Sequence, residues 1–170
     1  MTLSMHQASV PVFLRALGNL RGVLGKGEAH ASDRGFEPGV LLQARLAPDM
    51  FPLLKQVQIA TDLAKNGAAR LANVEPLKFE DDETTFAQLY ARIDRAVDYI
   101  GAFTAEQIDG SETRPITITT RSSGELSFDG QRYLLHFILP NLFFHSATTY
   151  AILRQSGVAL GKLDFIGAPR

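Results

Sequence analysis

Asn141 and His145 stand four residues apart in the stretch 129–157, DGQRYLLHFILPNLFFHSATTYAILRQSG, and Thr148 and Thr149 follow one turn later. On a helix that spacing puts them on one face. An imidazole can carry a proton near neutral pH or hold a metal ion. An amide and two hydroxyls can orient a water or a ligand. From 134 to 144 the stretch is apolar on almost every side, so other elements must bury most of its surface. Polar groups inside it must therefore find partners, and a candidate site is expected here. His136 precedes His145 by nine residues, about 180° around an ideal helix, so the two serve one site only if Pro140 strongly distorts the turn.

A second polar group, Gln58 and Asp62, flanks the apolar seam Met50, Leu54, Val57, Thr61, Ala64, Ala68 and Leu71. Asp62 is one turn from Lys65, which fits an intrahelical ion pair of about a few tenths of a kcal/mol. The alternative is that Gln58 and Asp62 face a pocket between helices. His6 is expected at the edge of the core and His30 in solvent. Arg45 is either an ordinary surface arginine or a partner for a carboxylate or ligand.

The elements that must position these residues are mainly helices. Leu3, His6, Val10, Phe13, Leu17, Leu20 and Leu24 step alternately by three and four, the seam of a helix that Gly25 and Gly27 should end. Pro11 either opens that helix or kinks it. Residues 28–47, with Gly35, Pro38 and Gly39, read as a long crossover holding one short helix. The second helix runs from Met50 to about Ala72. Residues 73–83 end in four acids, Glu80, Asp81, Asp82 and Glu83, expected as a solvated linker whose charges favour the next helix N-terminus. Thr84 or Thr85 caps a third helix on Phe86, Leu89, Ile93, Ala96, Ile100 and Phe103. From Arg114 to Phe128 the period becomes two, with a turn at Ser122-Ser-Gly-Glu125, which predicts a β-hairpin. Asp129 caps the fourth helix, Gly157 ends it, and the tail carrying Leu160, Leu163, Phe165 and Ile166 straps across the bundle.

Composition bounds the function. The chain has 170 residues, 45% hydrophobic and 21% charged, with a net charge of −1 and no cysteine. That fits one globular domain over residues 1–170. It gives no reason to expect nucleic acid or an anionic membrane as partner. Disulfides, thiolate nucleophiles and zinc ribbons are excluded. No Gly-rich phosphate loop is present, so no nucleotide is expected. Pro11, Arg15 and Arg21 interrupt any signal-peptide pattern, and the 134–144 run is too short to span a bilayer. A cytoplasmic protein is expected.

Several stretches resemble the bacterial family called domain of unknown function 1993, within the DinB/YfiT-like metalloenzyme superfamily. They are Ser9-Val-Pro-Val-Phe13, Arg45-Leu-Ala-Pro-Asp-Met50, Gln56-Val-Gln58 with Asp62, Asp81-Asp-Glu83 with Thr85-Phe86, and His145 to Gly157 with Leu160-Gly-Lys162 and Asp164-Phe165. The resemblance implies a DinB-like four-helix bundle with a long crossover between helices 1 and 2 and a small β-hairpin before helix 4. The superfamily typically holds a divalent metal with three histidines, one on the second helix and two spaced four apart on the fourth. Here His145 matches the second of that pair, Asn141 occupies the first position, and no histidine lies between Met50 and Ala72. One imidazole with an amide and a carboxylate makes a weak transition-metal site.

Three functions stay open. The first is binding of a small apolar or aromatic ligand in the bundle, with Asn141, His145, Thr149, Gln58 and Asp62 as polar contacts. The second is a metal-dependent hydrolase or transferase using His145, Asn141 and Asp62 as metal or catalytic groups. The third is a non-catalytic structural protein that acts as a homodimer.

Overall fold

A computed structural model describes residues 3–120 and 124–168. Helix α1 spans Met5–Arg34 and α3 spans Leu53–Leu71, with a short α2 at Gly39–Leu42 in the crossover between them. Then come α4 (Phe86–Gly101), α5 (Ala105–Ile108), the strands β1 (Pro115–Thr120) and β2 (Gly124–Asp129), and α6 (Gly130–Arg132). A π-helical turn over Tyr133–Ile138 leads into α7 (Leu139–Gln155), and α8 (Lys162–Ile166) closes the chain. The bundle is α1, α3, α4 and α7. Helix α3 packs on α7 and α4, α1 packs on α4 and α7, and α8 lies on α1.

Helix α1 is longer than its glycines suggest. At Gly27 an added Cβ would stand 2.8 Å from Leu153 Cδ2, so this glycine marks a close approach of α7 rather than a stop. The stop is Gly35, whose φ of 73° lets its N–H reach back to the carbonyls of Ala31 and Ser32. Residues 28–34 are therefore helix, not crossover. Pro11 sits inside α1, because Ser4 and Gln7 form a capping box that starts the helix earlier. Thr85 caps α4 in the same way with Gln88.

The hairpin pairs Ile116 with Phe128 and Ile118 with Leu126, burying Ile116 and Ile118. Of the expected turn Ser122-Ser-Gly-Glu125, residues 122 and 123 lie outside the described residues, and Gly124 and Glu125 already belong to β2. Asp129 accepts from the Arg132 N–H at 2.8 Å and starts the fourth helical segment. Pro140 cannot donate to the carbonyl four residues back. The turn before it widens to the π form, with the Leu139 N–H on the Leu134 carbonyl. Phe13, Leu17, Leu24, Val57, Leu71, Ile93, Leu134, Leu142 and Leu153 form the shared core. No described helix is long and apolar enough to cross a membrane.

Candidate functional site

Helix α7 presents two different faces. On one, His145 Nδ1 is 2.6 Å from Gln56 Oε1, while Gln56 Nε2 donates to the Phe51 carbonyl at 3.0 Å. With the Gln56 amide held that way round, its carbonyl faces the ring, so Nδ1 carries the proton and Nε2 keeps a lone pair. Burial pushes the His145 imidazole below its ordinary value and favours the neutral ring. The edge of His145 also meets Phe144 at 5.1 Å between centroids.

The remaining polar residues of this face bond to their own helix. Asn141 Nδ2 donates to the Phe137 carbonyl at 2.7 Å, engaging backbone beside the proline. Thr148 donates to the Phe144 carbonyl at 2.8 Å and Thr149 to the His145 carbonyl at 3.0 Å. These are local back-bonds of a helix interior. His136 is exposed and lies next to Arg132, so the widened turn does not bring it to His145.

Gln58 and Asp62 go elsewhere. Arg92 of α4, its side chain 1% exposed, stands 2.9 Å from Asp62, 3.1 Å from Asp81 and 2.9 Å from Glu83. Gln58 Nε2 donates to Glu83 at 2.7 Å. Lys65 lies 3.5 Å from Asp62 and donates to the Leu77 carbonyl. Arg92 Nη2 and Asp62 Oδ1 face each other off the hydrogen-bond direction, so their attraction is charge with charge. Burial raises the Asp62 carboxyl, opposed by Arg92 and Lys65; burial lowers the Lys65 ammonium, opposed by Asp62. Phe79 covers the group, its ring 4.6 Å from Lys65 and 4.2 Å from Arg95. Asp81 and Glu83 thus clamp the loop before α4 onto α3 and α4, with Glu83 only 9% exposed. The expectation of a solvated run holds for the Glu80 and Asp82 side chains and fails at Glu83, which is buried. The Asp62–Lys65 pair forms as its spacing suggests, and no hydrogen bond or ion pair joins Asp62 to His145.

Arg45 is exposed and its Nη1 reaches the Met50 carbonyl at 3.4 Å. His6 is half-buried, its backbone N–H on Asp109 at 2.7 Å. His30 is half-buried against the Phe36 ring rather than free in solvent.

The other face of α7 carries Phe143 and Ser146. Together with Val12, Ala16, Leu20 and Val23 of α1 and Phe165 and Ile166 of α8, they line a cavity of about 410 Å³. Its polar points are Arg15, Asn19 and Ser146. Ser146 is 4% exposed and its hydroxyl has no hydrogen-bond partner. Arg15 Nε and Nη2 donate to the Ile166 carbonyl at 3.2 and 2.9 Å, and Asn19 Nδ2 to the Phe165 carbonyl at 3.0 Å. Lys26 holds Asp164 at 2.6 Å. So α8 is tied over the cavity by side chains of α1. The cavity lies one face around α7 from His145, which does not line it.

Sequence reading missed Gln56 as the partner of His145, Arg92 as the centre of the clamp, and Ser146 with Arg15 at the cavity. A cation beside the apolar seam of α4, opposite four acids, was a usable signal for Arg92. Nothing local distinguishes Ser146 from any small residue of a buried helix.

The arrangement of four long helices, crossover and hairpin defines a DinB-like helical bundle. It matches the crystal structure of a DinB family member protein from Shewanella denitrificans with a TM-score of 0.86 and 37% identity, over 96% of this chain and 92% of that one. The model of the family described as domain of unknown function (DUF1993) matches residues 5–166, and the chain belongs to that family. No curated protein matches it.

The divalent metal that the superfamily implies does not fit the side chains present. Asp62 is engaged by Arg92 and Lys65, Gln56 by His145, and the Asn141 amide turns back to its own helix. That leaves His145 Nε2 as a lone donor, where a stable site needs three or more protein ligands. Among the described residues no three His, Asp or Glu side chains group to hold an ion.

Proposed function

We propose that the protein binds a small, largely apolar molecule in the cavity between α1, α7 and α8. One observation carries the reading: an apolar space of about 410 Å³ with a buried Ser146 hydroxyl facing no partner. Ligand sites are typically apolar clefts of roughly 300–1,000 Å³ with a few placed polar groups. A buried hydroxyl without a partner costs about 1–3 kcal/mol, which a ligand acceptor would relieve. Asn141, Thr149, Gln58 and Asp62 act in this reading through packing, since each already has a protein partner or a backbone bond.

The test is thermal unfolding against a panel of small apolar and aromatic molecules, with an Ala16→Phe variant that fills the cavity. Stabilisation of the parent protein and none of the variant is expected. A parent protein that no member stabilises would contradict the reading.

A second reading rests on His145 alone. A neutral, oriented imidazole with a free Nε2 suits a general base that acts without a metal. It predicts a bell or step in some hydrolytic activity that His145→Gln abolishes. The cavity has the volume and apolar lining of a ligand site, and His145 does not line it, so the cavity reading stands first.

A further inference from the structure

We propose that the cavity takes amphipathic monocarboxylates, with an apolar body inside and the anionic head at Arg15. The inference rests on the cavity being the binding site and adds the chemical class of its ligand. Among the described residues the lining contains one ionisable side chain, the cation Arg15, and no carboxylate. Arg15 is held in place by two of its nitrogens on the Ile166 and Ala168 carbonyls. Its third nitrogen, Nη1, has no hydrogen-bond partner among the described residues, so a positioned charge stands at the exposed edge of an apolar space. Guanidinium suits a carboxylate in charge and planarity. The Ser146 hydroxyl, buried and unpartnered, supplies a second polar point within the same lining. The acid within α8, Asp164, is engaged by Lys26 and the Gly161 N–H and does not line the cavity.

The strap makes binding and closure one event. The exposed apolar residues Ile166 of α8 and Phe143 of α7 line the cavity. A bound alkyl chain gives these side chains something to cover, and an anion on Arg15 draws α8 against α1 through the same guanidinium.

The test is calorimetric titration of the full chain with decanoate, decanol and methyl decanoate. Decanoate is expected to bind at least tenfold more tightly than the neutral pair. Arg15→Gln should bring the three to similar affinity, while Arg15→Lys keeps a preference for the acid. Equal binding of decanoate and decanol by the parent protein would overturn the head-group assignment and leave the cavity reading intact. Failure of all three to bind, together with a failed stabilisation panel, would overturn both. An equal fall for all three ligands in Arg15→Gln would show that Arg15 only holds the strap, and would also overturn it. So would a dimer that Ala16→Phe dissociates, which would assign the groove to a second copy of the chain.

Discussion

The two faces of α7 solve the same physical problem in opposite ways. Toward α3, the polar side chains are engaged: His145 by Gln56, and Asn141, Thr148 and Thr149 by carbonyls one turn back. Toward α1 and α8, the polar residue Ser146 has no partner and stands at a cavity. A polar stripe is thus a poor guide to function when each of its groups is satisfied from within. A solitary polar atom left open in an apolar setting is the better one, because buried polar groups without partners are rare and costly.

The largest effect should come from the clamp beside α3. Arg92→Ala leaves Asp62, Asp81 and Glu83 without their shared cation, and chemical denaturation should register a loss of about 3–5 kcal/mol. A change below about 1 kcal/mol would show that the cluster is solvated. Next is His145→Ala, which orphans the Gln56 carbonyl in a residue 2% exposed and should lower stability by about 1–3 kcal/mol. Thr149→Ala removes a back-bond and should cost about 0.5–1.5 kcal/mol. Ser146→Ala loses no bond and should lie within about 0.5 kcal/mol of the parent protein or above it. If Ser146→Ala were as damaging as His145→Ala, the contrast between the faces would collapse.

Acid should separate the faces as well. His145 titrates below its ordinary value in the folded protein because burial disfavours the charged ring. In the window between the folded and unfolded values, the unfolded chain takes up a proton that the folded chain refuses. The His145 contribution is complete above the ordinary imidazole value and is lost as pH falls through that window. Stability compared between the parent protein and His145→Gln over pH 7 to 5 should show a smaller loss in the variant. Parallel curves would mean that the ring is already solvated.

Much of the fold was legible from spacing, since the three-four seams of α1, α3 and α4 report which face is buried whatever the partner is. The end of α1 was not legible: Gly27 is read as a stop, and only the approach of Leu153 reveals it as a contact. Glu83 reads as solvated with its neighbours because its partner, Arg92, lies nine residues further on and meets it only when α4 folds back on the loop. Ser146, at the cavity, directly follows the candidate residue His145 in the sequence. The cavity itself was not legible, because His145 announces chemistry by residue type, whereas Ser146 stands out only through the space that α1 and α8 build around it.

The central claim is that the ligand site is the α1–α7–α8 cavity and not the His145 face. Side-chain NMR during a decanoate titration tests it most directly. The account predicts saturable shifts at the methyls of Ala16, Leu20, Val23 and Ile166, with the His145 ring and the Gln56 amide nearly still. Shifts centred on His145 and Gln56, with those methyls unmoved, would contradict it.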